Sequence, residues 1–342
     1  DTPAWEDDPA FALENHLKQI SLPAPGHEAA LRALVSELTS RQLDLSRPLW
    51  QFHLVASYGT GCALVVRVHH CLADGPALMH LLLALADAEP EAAALVAELG
   101  TTPAPVEPER GAASQLVELV MQQGINTLSN PLRLWNLTRL GRDTVKVLGK
   151  LVSRRHDPVT VFQGKLSGSK RVAWSGPLAL AEVKALGRPA GSTVNDIMLA
   201  LAAGALRRYL ESRGEAVQGL TLRAGLSVNL RDPDAGTSLG NRAGAVLVNL
   251  PVGLDSAEAR LRQVKRGMDA IKESPEASMV WGLLNALGNA PGEVQTVLVE
   301  RYVARDTAVI ANVPGPAQTV SLAGSPLTSG MSGVPPRGGA GM

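Results

Sequence analysis

Residues 66–82 read VRVHHCLADGPALMHLL, with His69, His70, Asp74 and Gly75 between a strand-like and a helix-like run. Histidine titrates near pH 6.5, so a neutral imidazole can take a proton from a hydroxyl or amine and hand it on within one turnover. Adjacent side chains on extended backbone point to opposite sides. One ring can therefore face a substrate while its neighbour braces the loop. Each residue also has a plainer role. A histidine at a strand end is an ordinary hydrogen-bonded core residue, Asp74 is a favoured N-cap for the next helix or an arginine partner, and Gly75 lets backbone or substrate approach closely.

Other chemistries fit less well. His69, His70, Asp74 and His80 are metal-ligand types, but adjacent histidines diverge and no metal site is expected. Cys71 is too close in sequence to His70 for a nucleophile–base pair at about 3 Å, and reads as a small apolar residue. No G-x-S-x-G elbow occurs, and no G-x-x-x-x-G-K-[ST] loop. What remains is a histidine acting as general base.

The elements that must position this loop follow from periodicity. HEAALRALVSELTSRQLD (27–44) spaces Leu31, Leu34, Val35 and Leu38 as an amphipathic helix does. PLWQFHLVA (48–56) alternates Trp50, Phe52 and Leu54 on one side of a strand, SYGTG turns, and Cys62 to Val68 return as a second, more buried strand. Residues 76–87 are expected to be helical, with Pro76 in the first turn. Residues 88–113 read as an Ala-, Pro- and Glu-rich linker. A helical pattern follows over 114–155, with Arg133, Arg139, Arg142, Lys146 and Lys150 either on a solvated face or facing coenzyme phosphates or a membrane.

The second half predicts a strand at KRVAWSGPL (170–178), a short helix at LAEVKALG (180–187), and a long helix over 193–214 with Thr193 or Asn195 near its start. Strands follow at LRAGLSVNLR (222–231) and AGAVLVNLPV (243–252), then a helix over 255–274 capped by Asp255 or Ser256, and a strand breaking into a turn in DTAVIANVPGP (306–316). Strands and helices in both halves predict an α/β (α+β) chain of two lobes.

Composition sets limits. The 342 residues, 45% of them hydrophobic, suffice for about two domains. Lys plus Arg and Asp plus Glu stand at 32 each, so no excess charge draws the chain to nucleic acid. Two cysteines and no leader-like segment read as cytoplasmic, and no apolar run reaches the roughly 18 residues of a membrane span. The start at Asp1 and the glycine-rich end PPRGGAGM read as cut from a longer chain.

HHCLADG (69–75) fits the H-H-x-x-x-D-G motif of the coenzyme A-dependent acyltransferase superfamily. RPLW (47–50), TVNDIMLA (193–200), GNRAGAVLVNLP (240–251) and ANVPGP (311–316), in that order, resemble the bacterial wax ester synthase/acyl-CoA:diacylglycerol acyltransferase family over nearly the whole chain from Phe11. The resemblance implies two chloramphenicol-acetyltransferase-like lobes with mixed sheets flanked by helices, and an active-site tunnel between them. The lobes are expected at 1–100 and 166–342, joined by a linker and crossover helices at 101–165.

It further implies a long-chain acyl-CoA donor, a diacylglycerol or fatty alcohol acceptor, and a triacylglycerol or wax ester product. His70 would be the base, with His69 and Asp74 mainly structural, and an arginine partner for Asp74 would lie upstream of Asp1. Gly75, Asn195, Asp196, Asn312, Pro314 and Gly315 would contact substrate. Acyl transfer passes through an oxyanion, and Asn195 at a helix start is either a donor to it or simply the N-cap. NVPGP is a tunnel-lining segment or a rigid turn, and Trp50 a core residue or an acyl-chain contact. No cofactor beyond acyl-CoA as co-substrate is implied. Apolar substrates imply attachment to the inner membrane face or to lipid inclusions. Two alternatives are an acyltransferase of secondary metabolism using a carrier-bound donor, and a non-catalytic lipid-binding protein.

Overall fold

The computed structural model describes residues 6–87, 157–164, 167–229, 243–274, 280, 307–316 and 319–334. The expected linker at 88–113 and helical stretch at 114–155 lie outside them. The chain divides into two compact units. The first carries described residues 6–83 and 167–177, and the second the remainder.

In the first unit β1 (Leu17–Ser21), α1 (Glu28–Ser40) and β2 (Trp50–Tyr58) form a parallel crossover, and β2 turns back into β3 (Gly61–Val68). The sheet order is β1-β2-β3. The α1 helix opens where His27 Nδ1 accepts the Ala30 N–H at 3.2 Å, and it buries Leu31 and Leu38. Leu31 packs with Leu22 and Val55 of the sheet. Thus the fully buried side of β2 carries His53 and Val55, whereas Trp50 and Phe52 are half-buried and Leu54 is exposed. Both sides of β2 are apolar enough to be the core side, and α1 decides between them.

The predicted strand at 170–178 does not form. This stretch runs extended beside α1, where the Lys170 N–H donates to Ser40 Oγ at 2.7 Å and the Val172 N–H to Ser36 Oγ at 2.9 Å. Arg32 donates to the Trp174 carbonyl at 2.7 Å and lies over its ring at 4.9 Å. Two helix hydroxyls one turn apart stand in for the neighbouring strand that alternation alone predicts.

The second unit is built on the sheet β5-β4-β6, with β4 (Leu222–Asn229) antiparallel to β5 (Ala243–Leu250) and parallel to β6 (Ala308–Ile310). The cross-strand pairs Leu222↔Leu250, Ala224↔Val248 and Leu226↔Val246 form one apolar face. Below α2 (Gly75–Ala84) and α3 (Leu180–Gly187) in chain order come α4 (Val194–Ser212) and α5 (Ala257–Lys272). Leu199, Ala203, Leu206 and Leu210 of α4, with Val264 and Met268 of α5, cover that face at helical spacing. The α5 cap is Ser256, whose Oγ accepts the Ala259 N–H. A β-hairpin, β7 (Ser321–Leu322) and β8 (Ser325–Pro326), went unread in the sequence, as did β1. Two mixed sheets flanked by helices bear out the α/β (α+β) class.

A buried polar knot ties residues 157–163 to this second core. Asp157 accepts from Arg223 Nε at 2.7 Å, from the Arg223 N–H at 2.7 Å and from Thr307 Oγ1 at 2.6 Å. Gln163 Nε2 donates to Thr307 Oγ1 at 3.0 Å, and Phe162 packs into the core and stacks on Tyr209. Removing the carboxylate takes away the acceptor that Arg223 and Thr307 share in this partly buried cluster. Asp157→Ala is therefore expected to cost about 3–5 kcal/mol, and Thr307→Val about 1–2 kcal/mol, in chemical denaturation. Equal midpoints for Asp157→Ala and parent would refute the knot's role.

His53 is 5% exposed, and neither ring nitrogen has a hydrogen-bond partner. Burial first, then the positive charges of Arg67 and Lys18, holds its pKa below the ordinary 6.5. The unfolded chain therefore takes up the proton before the folded one does. Its contribution to stability is full above about pH 6.5 and declines as pH falls below that value. The parent should lose more stability than His53→Leu between pH 7 and pH 5 in urea titrations. Parallel losses in the two proteins would show that another group sets the acid sensitivity.

Candidate active site

Beyond β3 the ladder continues by one bond, with the His69 N–H donating to the Leu49 carbonyl at 2.9 Å. The chain then turns. The Leu72 N–H donates to the His69 carbonyl at 3.1 Å, and the Cys71 N–H to His69 Nδ1 at 3.2 Å. Because Nδ1 accepts, the proton of the neutral His69 ring sits on Nε2. This half-buried ring is committed to its own loop, while His70 is exposed.

Asp74 is 2% exposed and caps α2: its Oδ1 accepts the Ala77 N–H at 3.2 Å, and its carbonyl accepts the Leu78 N–H at 2.8 Å. Gly75 and Pro76 occupy the first helical positions, where Pro has no N–H to lose. Helix α2 ends at Ala84, sooner than the expected 87. Cys71 is an exposed free thiol. Among the described residues no group of three His, Cys, Asp or Glu is placed to hold a metal ion.

The second set of sequence-derived residues lies in the second unit. Helix α4 opens on a capping box: Thr193 Oγ1 accepts the Asp196 N–H at 3.2 Å, and Asp196 Oδ2 accepts the Thr193 N–H at 2.8 Å. Thr193 is therefore the cap, and the reading of Asn195 as N-cap is corrected, because a third-position carboxylate reaches back where Asn195 does not. The Asn195 carboxamide is left out of the box. Asp196 is fully buried, and its Oδ1 has no hydrogen-bond partner. Gly187 fits the approach of α3 to this turn, since a Cβ there would lie 2.6 Å from the Ser192 carbonyl oxygen.

Helix α4 returns to β4 through residues 213–221 and so runs antiparallel to it, while β6 runs parallel to β4. The α4 start and the segment after β6 therefore lie at the same end of this sheet. That end gathers Asn195 and Asp196 with Asn312, Pro314 and Gly315, the last three exposed. His69, His70, Asp74 and Gly75 form the other group, on one loop of the first unit.

Comparison with known proteins decides the family. Residues 1–198 match the wax ester synthase/diacylglycerol acyltransferase catalytic domain, and residues 239–342 the C-terminal domain of the same proteins. The chain belongs to the wax ester synthase/diacylglycerol acyltransferase family. It is therefore a member of an acyltransferase family whose substrate is acyl-CoA. A Mycobacterium tuberculosis protein bearing the name of a diacylglycerol O-acyltransferase is 31% identical over 326 residues, covering 92% of this chain and 69% of the relative. A second M. tuberculosis protein of that name is 28% identical over 327 residues, covering 94% and 69%. The solved wax ester synthase/diacylglycerol acyltransferase of Marinobacter aquaeolei is similar with a TM-score of 0.60 and 25% identity, over 96% of this chain and 69% of that one.

Sequence reading missed the Leu49 carbonyl, which holds the histidine loop from outside it through the His69 N–H; a backbone carbonyl leaves no signal in a motif. It also missed the pairing of Thr193 with Asp196, although T-x-x-D before an apolar run carries that signal. Thr193→Ala should cost about 1 kcal/mol in thermal or chemical unfolding. Asn195→Ala, outside the box, should change stability by less than about 0.5 kcal/mol, so that any activity it loses is chemical. Equal destabilisation by both would refute this division.

Proposed function

We propose that this chain transfers a long-chain acyl group from acyl-CoA to the hydroxyl of diacylglycerol or a fatty alcohol, with His70 as general base. The observation that carries this is the contrast between the two histidines: the His69 ring is bonded into its own loop, and the His70 ring is exposed beside it. Names of the mycobacterial relatives support diacylglycerol as the first acceptor to test.

The reaction balances without another group. A His70 ring nitrogen takes the hydroxyl proton as the alcohol oxygen bonds to the thioester carbonyl carbon. The tetrahedral oxyanion collapses, the carbon–sulfur bond breaks, and the departing thiolate receives the proton from the imidazolium. Products are the ester and free coenzyme A. His69 and Asp74 hold the loop. Asn195, with its carboxamide outside the capping box, is the candidate oxyanion donor. Gly75, Asp196, Asn312, Pro314 and Gly315 are the candidate substrate contacts. The proposed domain division is 1–100, 101–165 and 166–342, with residues 167–177 lying in the first compact unit.

Both candidate acceptors and the acyl chain of the donor are apolar, and among the described residues no helix is long and apolar enough to cross a membrane. The proposed location is therefore peripheral, at the inner membrane face or a lipid inclusion.

The test is release of coenzyme A from palmitoyl-CoA with dioleoylglycerol or hexadecanol, comparing parent with His70→Ala. Acceptor-dependent release should fall by about 10²- to 10⁴-fold in the variant, the contribution expected of a general base. Full activity in His70→Ala would remove the base assignment. No release from the parent with either acceptor would remove acyl-CoA-dependent ester synthesis.

A further inference from the structure

A third histidine stands at the same end of the first sheet. Asp8 opens a turn in which its Oδ1 accepts the Ala10 N–H at 2.9 Å and its carbonyl the Phe11 N–H at 3.1 Å. A single 3₁₀ turn, Leu13–Asn15, then delivers His16, whose N–H donates to the Leu13 carbonyl at 2.9 Å. His16 is 2% exposed. Its ring packs against both Phe11 (centroids 5.2 Å apart, planes at 24°) and Trp50 (4.4 Å, 30°), which also meet each other at 6.4 Å, and Trp50 meets Phe52 edge-on at 5.6 Å. His16 Nδ1 is 2.8 Å from the Trp50 carbonyl oxygen, which can only accept, so Nδ1 carries a proton.

The reason for this bond lies in the sheet. Successive carbonyls of a strand point to opposite neighbours, and β2 is the central strand. The Leu49 carbonyl points towards β3 and accepts the His69 N–H at 2.9 Å. The Trp50 carbonyl points the other way, towards β1. There the parallel ladder begins with the Phe52 N–H donating to the His16 carbonyl at 2.7 Å, leaving no β1 N–H for Trp50. The His16 side chain supplies the missing donor. Residues 49 and 50 are thus gripped from both sides, by the His16 ring on one and by the backbone of the histidine loop on the other.

We propose that His16 is a positioning residue for acyl transfer: through the Trp50 carbonyl it fixes the start of β2, from which His69 and hence the His70 ring are hung. This rests on the reading of His70 as the base. It goes beyond it by naming a residue outside the H-H-x-x-x-D-G motif on which the base depends. Displacing a base by about 1 Å costs on the order of 10² in rate.

The experiment compares parent, His16→Ala, His16→Asn and His70→Ala in the full chain, measuring kcat and KM for palmitoyl-CoA and the pH dependence of kcat. Each is normalised to the folded fraction by circular dichroism. His16→Ala should lower kcat about 10- to 100-fold with KM within about twofold, since the clamp acts on the base and not on donor binding. His16→Asn, whose carboxamide N–H can reach the same carbonyl, should recover most of that loss even if its melting temperature stays below the parent's. The acid limb of kcat should persist in both His16 variants, because His16 is not the base. A kcat for His16→Ala within twofold of the parent, with His70→Ala inactive, overturns the positioning role alone. A loss that His16→Asn does not restore overturns it too, leaving the ring a packing residue. An active His70→Ala overturns the base reading, and this inference with it.

Discussion

The whole of the candidate active loop depends on one requirement: where β3 stops, the chain must satisfy its polar groups without a neighbouring strand. It does so with what lies nearest. The Leu49 carbonyl takes the His69 N–H, the His69 ring takes the Cys71 N–H, and Asp74 takes the Ala77 N–H in the first turn of α2. Two of these bonds commit a side chain, that of His69 and that of Asp74, to holding the loop itself. His70 lies exposed on the same loop.

The second unit meets the same requirement at both ends of its sheet. At one end, Thr193 and Asp196 satisfy the start of α4 between them. At the other, Asp157 collects three donors from Arg223 and Thr307, and with them anchors residues 157–163. Such a knot is costly to desolvate and costly to break, so its value lies in specifying where residues 157–163 go more than in net stability.

Much of this was legible in the sequence because it is periodic. Leu31 to Leu38, the alternation through Leu222, Ala224 and Leu226, and the run Leu199 to Leu210 each bury the face their spacing specifies. H-H-x-x-x-D-G and its companion stretches pointed to the family that comparison assigns. What was not legible is what period cannot encode. KRVAW alternates like a strand, but its partners are Ser36 and Ser40 on a helix. On β2 both faces are apolar, so the burial of His53 and Val55 over Phe52 and Leu54 depended on where α1 came to rest. The Trp50 carbonyl, on which the His16 contact turns, has no letter in the sequence.

The histidines of the first unit show why a residue type alone does not define a role. His53 is buried with no hydrogen-bond partner and faces the charges of Arg67 and Lys18, and its burial first, then those charges, lowers its pKa. His16 is equally buried but holds one bond to a carbonyl, which fixes its tautomer and makes it a strut. His69 is half-buried and accepts from its own loop, which fixes the opposite tautomer. His70 is exposed, as the proposed shuttle between an alcohol and a thiolate requires. One titratable group thus serves in four ways on a three-stranded sheet, and the difference lies in which donors and acceptors the backbone leaves within reach.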